Sequence, residues 1–242
     1  MPMLDDLSPR QCIYFAALLG AQECRLAVTP MRRLTEQLIS QLAAQGVIES
    51  PDAETPSHPS QETPLEGIRW SCSWHEPPHV SLMVELGHRL RRLPFDDGGA
   101  PVRLQIWHEL ALAEAEHFLE RQLLRHRLDR AWCKDIAFAH RDTHPALSIA
   151  QWRYCCWAAV RQGAALAMRQ AVRDDELIRE SIYAELRRRA TQLSQGQWST
   201  CALPPFDLTP RSALGQLTAF LLLGSAELYW TTSATTEVIA KR

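Results

Sequence analysis

The stretch 29-TPMRRLTEQLISQLAAQGVIE-49 decides how the first third of the chain is read. Thr29-Pro30 is a helix-opening pair, because a threonine hydroxyl can accept a first-turn N–H and proline fits the first helical position. Met31, Leu34, Leu38 and Leu42 then recur at helical spacing, and Gly46 supplies a stop. Upstream, Ser8-Pro9 opens a helix expected to reach about Gly20. Residues 23–29 (ECRLAVT) read as a short strand. Downstream, residues 47–49 and 67–75 read as two more strands. Residues 80–86 alternate apolar and polar side chains and suit either a strand or the start of a helix.

A helix, a short strand, a helix opened by Thr-Pro and two looped strands make the outline of a winged helix. The expected fold is therefore mainly α with a small β component: a winged-helix-like module over residues 1–93, then an α-helical bundle over 94–242. In such modules one helix lies in the DNA major groove and the wing lies near the backbone. The polar flank of the second helix carries Arg32, Arg33, Gln37, Ser40 and Gln41, side chains able to bond base edges or a protein surface. Arg89, Arg91 and Arg92 would add phosphate contacts if the fold gathers them nearby. Local charge opposes DNA, since residues 1–93 hold eight arginines against eleven acids, a net of -3. Double-stranded DNA and a protein partner or second copy both stay open as partners at this point.

Outside this module, residues 50–66 (SPDAETPSHPSQETPLE) contain four prolines and no aromatic residue, so a mobile loop is expected there. PFDDGGAP at 94–101 reads as a turn-rich boundary. Beyond it the periodicity is helical. One helix spans about 102–128, a shorter one 129–140, and Ser148 opens a third that is apolar over most of its circumference to about Val172. Asp174 opens an amphipathic helix to about Gln195. After a loop at 198–208, Thr209-Pro210 is expected to start one last long helix. The arrangement resembles helix-turn-helix proteins that carry a helical bundle, without the motifs of any particular family.

The chain has 242 residues, a formal charge of -2, and only Lys134 and Lys241 as lysines among its 26 basic residues. GC-rich coding in a bacterium accounts for the arginine excess. Seven cysteines without framework spacing, and a start (MPMLDDLSPR) with no apolar core behind basic residues, point to free thiols and a cytoplasmic location. The most apolar run, 213–230, is interrupted by Gln216, Thr218 and Glu227, so no membrane association is expected.

Catalytic signatures are sparse. The sequence has no HExxH, no Gly-rich phosphate loop, no GxSxG and no CxxC, and no cofactor is implied. Two Glu-x-x-His steps, Glu85–His88 and Glu114–His117, place a carboxylate and an imidazole on one helical face, as the ligands of helical-bundle metal sites are placed. Cys72, His75 and His79 could contribute part of a zinc set whose other half is not visible. The expected function is a non-enzymatic bacterial accessory or regulatory protein recognising DNA or a protein through the N-terminal module. The alternatives are a metal-dependent enzyme in the bundle and a pure scaffold.

Overall fold

The structure, a computed structural model, describes residues 4–49, 79–92, 98–137, 147–169, 174–198 and 200–240. Its α-helices are α1 (Pro9–Cys24), α2 (Arg32–Ala44), α3 (His79–Arg92), α4 (Gly99–Arg125), α5 (Trp132–Ile136), α6 (Ile149–Arg169), α7 (Asp175–Ser194), α8 (Ala213–Gln216), α9 (Ala226–Thr231) and α10 (Thr236–Ala240). A π-helical segment, Leu217–Leu222, directly follows α8. Two compact units emerge: Met1–Gln105 with Thr209–Gly224, and Ile106–Leu208 with Ser225–Lys241.

In the first unit α1 is the central helix, and every residue from Cys12 to Leu19 is buried. Ser8 caps it with a reciprocal pair: Ser8 Oγ accepts from Gln11 N–H, and Ser8 N–H donates to the Gln11 side chain. The helix runs past Gly20 and stops at Arg25, which is left-handed at φ 53°. Leu26 N–H then reaches back to Ala21 O at 3.0 Å, the six-to-one bond of a Schellman turn. α1 packs against α2, α3 and α8.

The expected β component is overturned. Among the described residues there is no β-strand, and pairing is confined to single-residue bridges such as Ala27 with Ser212. Glu23 and Cys24 belong to α1. The extended residues after it serve another helix: Ala27 O and Val28 O accept from Ala213 N–H and Leu214 N–H, at 2.8 and 3.0 Å. Those two amides lie at the start of α8, where a helix lacks internal acceptors, so the β-like run acts as a cap. Val47 and Ile48 are buried in a bend. Residues 67–75 lie outside the described residues, as does the loop expected at 50–66. Residues 80–86 are helical, because Leu82, Leu86 and Leu90 recur every four positions and are all buried. The winged-helix and helix-turn-helix readings lose their basis.

α2 also starts later than the Thr-Pro signal suggests. Thr29 is buried, and its hydroxyl donates to Met31 O (2.7 Å) and pairs with Thr35 Oγ1 (2.9 Å), so the helix begins at Arg32 without a side-chain cap.

The second unit is built around α6. Trp152, Cys155, Cys156, Ala159 and Val160 from α6 join Leu119 and Leu123 of α4 and Ile178, Ile182 and Leu186 of α7 in one buried cluster. Ser148 starts α6 with a second reciprocal cap to Gln151, and Asp174 caps α7 through Leu177 N–H at 3.0 Å. Gly163 sits where α6 meets α7, and a Cβ there would overlap Cγ1 and Cδ1 of Ile182. Glycine inside a helix normally costs about 0.5–1 kcal/mol; here it is what lets the two helices close.

The last long helix expected from Thr209-Pro210 is broken. Ser212 caps the short α8, the π segment follows, Gly224 turns at φ 65°, and Ser225 caps α9 through Leu228 N–H. Gly then Ser is a stop followed by a start, hidden in the sequence by continuous apolar character on either side. Among the described residues, no helix is long and apolar enough to cross a membrane.

Candidate functional site

The residues singled out in the sequence fall in different places. Arg32, Arg33, Gln37 and Ser40 are exposed on α2 and Gln41 is half-buried. Arg32 pairs with Glu36 at 2.8 Å. On α3, Arg91 and Arg92 are exposed, whereas Arg89 turns inward to the carbonyls of Leu4 and Leu7. With no strand among the described residues, this set has no docking frame of the expected kind.

The metal reading fails on geometry. Among the described residues, no group of three or more His, Cys, Asp or Glu side chains is placed to hold a metal ion. Glu85 and His88 are exposed on α3 in the first unit, and Glu114 and His117 belong to the second. Glu114 is buried and accepts a hydrogen bond from Tyr229 Oη at 3.2 Å, which gives it a structural partner. Burial and the adjacent Glu114 push the Tyr229 phenol well above its usual range. Cys72 and His75 lie outside the described residues. Cys155 and Cys156 are buried, and burial pushes the Cys155 thiol up to about 12. A thiol held protonated in this way is no nucleophile.

The feature that stands out is residues 200–208 of the second unit, TCALPPFDL, an irregular segment anchored repeatedly to the helices it crosses. Leu203 is tied twice. Its N–H donates to Ala150 O at 2.8 Å, and its carbonyl accepts from Arg153 Nε at 2.9 Å. The Arg153 guanidinium lies over the Phe118 ring at 4.3 Å and the Trp230 ring at 5.5 Å. Trp230 anchors the far end, donating its indole N–H to Leu208 O at 2.6 Å. Tyr229 meets Trp230 edge to face, 5.0 Å between centroids.

Just before the segment, Trp198 lies beneath two arginines, Arg188 at 5.6 Å and Arg189 at 5.5 Å. Both converge on Glu185, a carboxylate only 6% exposed, at 2.7 and 2.6 Å. The Arg188 hydrogen bonds, aided by Arg189, hold the Glu185 carboxyl below its ordinary range despite burial. Arg189 also donates to Tyr154 Oη at 3.0 Å. Burial and a hydrogen bond with Cys201 push the Tyr154 phenol up, while Arg189 pulls the other way.

Between the anchors at Leu203 and Leu208 lie Pro204, Pro205, Phe206 and Asp207. Two prolines fix their own φ angles and reduce the freedom of so short a bridge. Phe206 is fully exposed. Met168, at the end of α6, is also mostly in water at 88% exposed, but Val84, Leu124, Leu177 and Phe220 are only about half exposed and keep part of their packing. The sequence marked 198–208 as a loop but gave no sign that one aromatic ring is held outward. The readable signal was Arg153, a cation flanked by the buried Trp152 and Cys155 near the start of α6.

No protein-family model, curated protein or solved structure matches the chain.

Proposed function

We propose that the chain is a protein-binding module whose second helical unit offers Phe206 as a docking knob. The observation that carries this reading is a fully exposed phenyl ring on a four-residue bridge pinned at both ends. A protruding ring suits a partner with a concave apolar pocket, whereas small ligands are held in cavities of the receptor itself. Burying a phenylalanine side chain is worth roughly 1.5–3 kcal/mol, or about 10- to 150-fold in affinity. Because the bridge is ordered before contact, little of that gain is lost to ordering it on binding. Buried aromatic anchors of this kind dominate many interfaces.

The test places a photo-crosslinking phenylalanine analogue at position 206 of the full chain in its host, with a control at the exposed Gln162. A discrete protein adduct is expected at 206 and absent at 162. The purified partner should then bind Phe206→Ala at least 10-fold more weakly than wild type, with the variant's stability within about 0.5 kcal/mol of wild type. Equal binding by the variant, or no adduct at 206, defeats the proposal. An adduct of two copies of this chain also defeats it, because the ring would then be a self-association contact.

A further inference from the structure

Arg103, the fifth residue of α4, is 3% exposed. Guanidinium stays charged under all ordinary conditions, and a buried charge needs a counter-charge or a full set of acceptors. The other inward-turned arginines have them: Arg89 has two carbonyls, Arg153 a carbonyl and two rings, Arg189 a carboxylate and a phenol. Arg103 makes no hydrogen bond or ion pair among the described residues, and its Nε is a buried donor with no acceptor. Burial alone acts on it, drawing its pKa down.

Its place in the helix sharpens the discrepancy. Helical side chains slant toward the N-terminus, so a long side chain at the fifth position runs back beside the first turn. There the 27-residue α4 presents the positive end of its dipole, and that turn holds no acidic residue. A buried cation and a positive helix end thus lie close in the sequence of α4, and no acidic side chain among the described residues pairs with Arg103.

We propose that Arg103 and the first turn of α4 form a binding site for a small oxyanion, a carboxylate or phosphate group. A phosphate can give two oxygens to the planar guanidinium fork and a third to the helix end, while a carboxylate has two oxygens to divide between them. The low exposure of Arg103 limits the ligand to one small anionic group or the tip of a larger molecule. This site is independent of the Phe206 bridge, and neither proposal depends on the other.

The experiment is thermal unfolding and calorimetric titration of the full chain at fixed ionic strength with inorganic phosphate, acetate or chloride. Phosphate or acetate should raise the wild-type Tm by about 2–4 °C over chloride, and the larger shift identifies which anion class fits. Arg103→Met should lose that shift entirely. In chloride it should be at least as stable as wild type, since an unbalanced buried charge has been removed. Arg103→Lys keeps the charge without the fork and should bind at least 10-fold more weakly in calorimetry, which serves if the Met variant does not fold. No anion-specific shift in wild type, or equal shifts in wild type and Arg103→Met, overturns the proposal. So does an Asp96→Asn/Asp97→Asn variant that alone gains a phosphate response, because those carboxylates would then be the partner of Arg103.

Discussion

The buried centre of the contact between α6 and α7 is made of carbon and sulfur, while the crossing of residues 200–208 over the start of α6 is made of carbonyls, indole N–H and stacked guanidinium groups. Both hold the second unit together, by different physics. The first depends on shape and tolerates apolar residues of the right volume; the second depends on particular donors meeting particular acceptors. Shape-dependent packing hides everything it touches. Directional anchoring can fix a segment's backbone while leaving a side chain such as Phe206 in water, which is what a preformed binding element requires.

The largest effect is expected where shape leaves no slack. Gly163→Ala drives a methyl group into Ile182, and overpacking of this kind costs about 1–3 kcal/mol, offset in part by the better helix propensity of alanine. Urea unfolding should show a net loss of about 1–2 kcal/mol. Ile182→Ala in the same chain should cost less than it does alone, because the two changes share one space. A neutral or stabilising Gly163→Ala would show that the helices are not held as closely as the geometry indicates.

That glycine also marks where sequence reading reached its limit. Ser8, Ser148 and Asp174 were legible as helix starts because capping is local, and each caps in the structure. The dense apolar character of 149–169 likewise announced a central helix. Thr29-Pro30 carried the same local signal, yet the Thr29 hydroxyl is taken by Met31 O and Thr35, an outcome set by burial. Residues 23–29 looked β-like because extended backbone serves equally in a sheet or as acceptors for another helix. Their acceptor role depends on residues 213–214, nearly two hundred positions away. For the site, prolines and polar residues exposed the loop, but Arg153 is joined to Phe118 and Trp230 only by the fold.

An effect of similar size but more local reach should follow from cutting the polar anchoring. Arg153→Met keeps much of the apolar stem but removes the bond to Leu203 O and the cation over two rings, together worth about 1–2 kcal/mol. Limited proteolysis should show cleavage within residues 200–208 accelerated at least several-fold, while hydrogen exchange through the buried face of α6 stays close to wild type. If exchange rises uniformly and the segment gains no special sensitivity, anchoring and core are one cooperative structure and the contrast drawn above fails.

The smallest effect is expected at Glu185, where the two kinds of contact meet: the carboxylate is nearly buried, yet its Arg188 partner is about half exposed and screened by solvent. Because the folded protein holds Glu185 below its usual value near 4.5, the carboxylate's contribution is present above that pH and is lost as pH falls through the folded value. Glu185→Gln should therefore cost on the order of 1 kcal/mol at pH 7, and the gap from wild type should narrow steadily below about pH 4.5. Arg189 links Glu185 to Trp198 and Tyr154, so in wild type the same acidification should raise hydrogen exchange at residues 198–203 before it reaches α6 and α7. A gap that stays constant from pH 7 to pH 3 would mean the paired arginines add nothing that depends on the charge of Glu185. Trp198 would then be held by packing alone, on the same terms as the core.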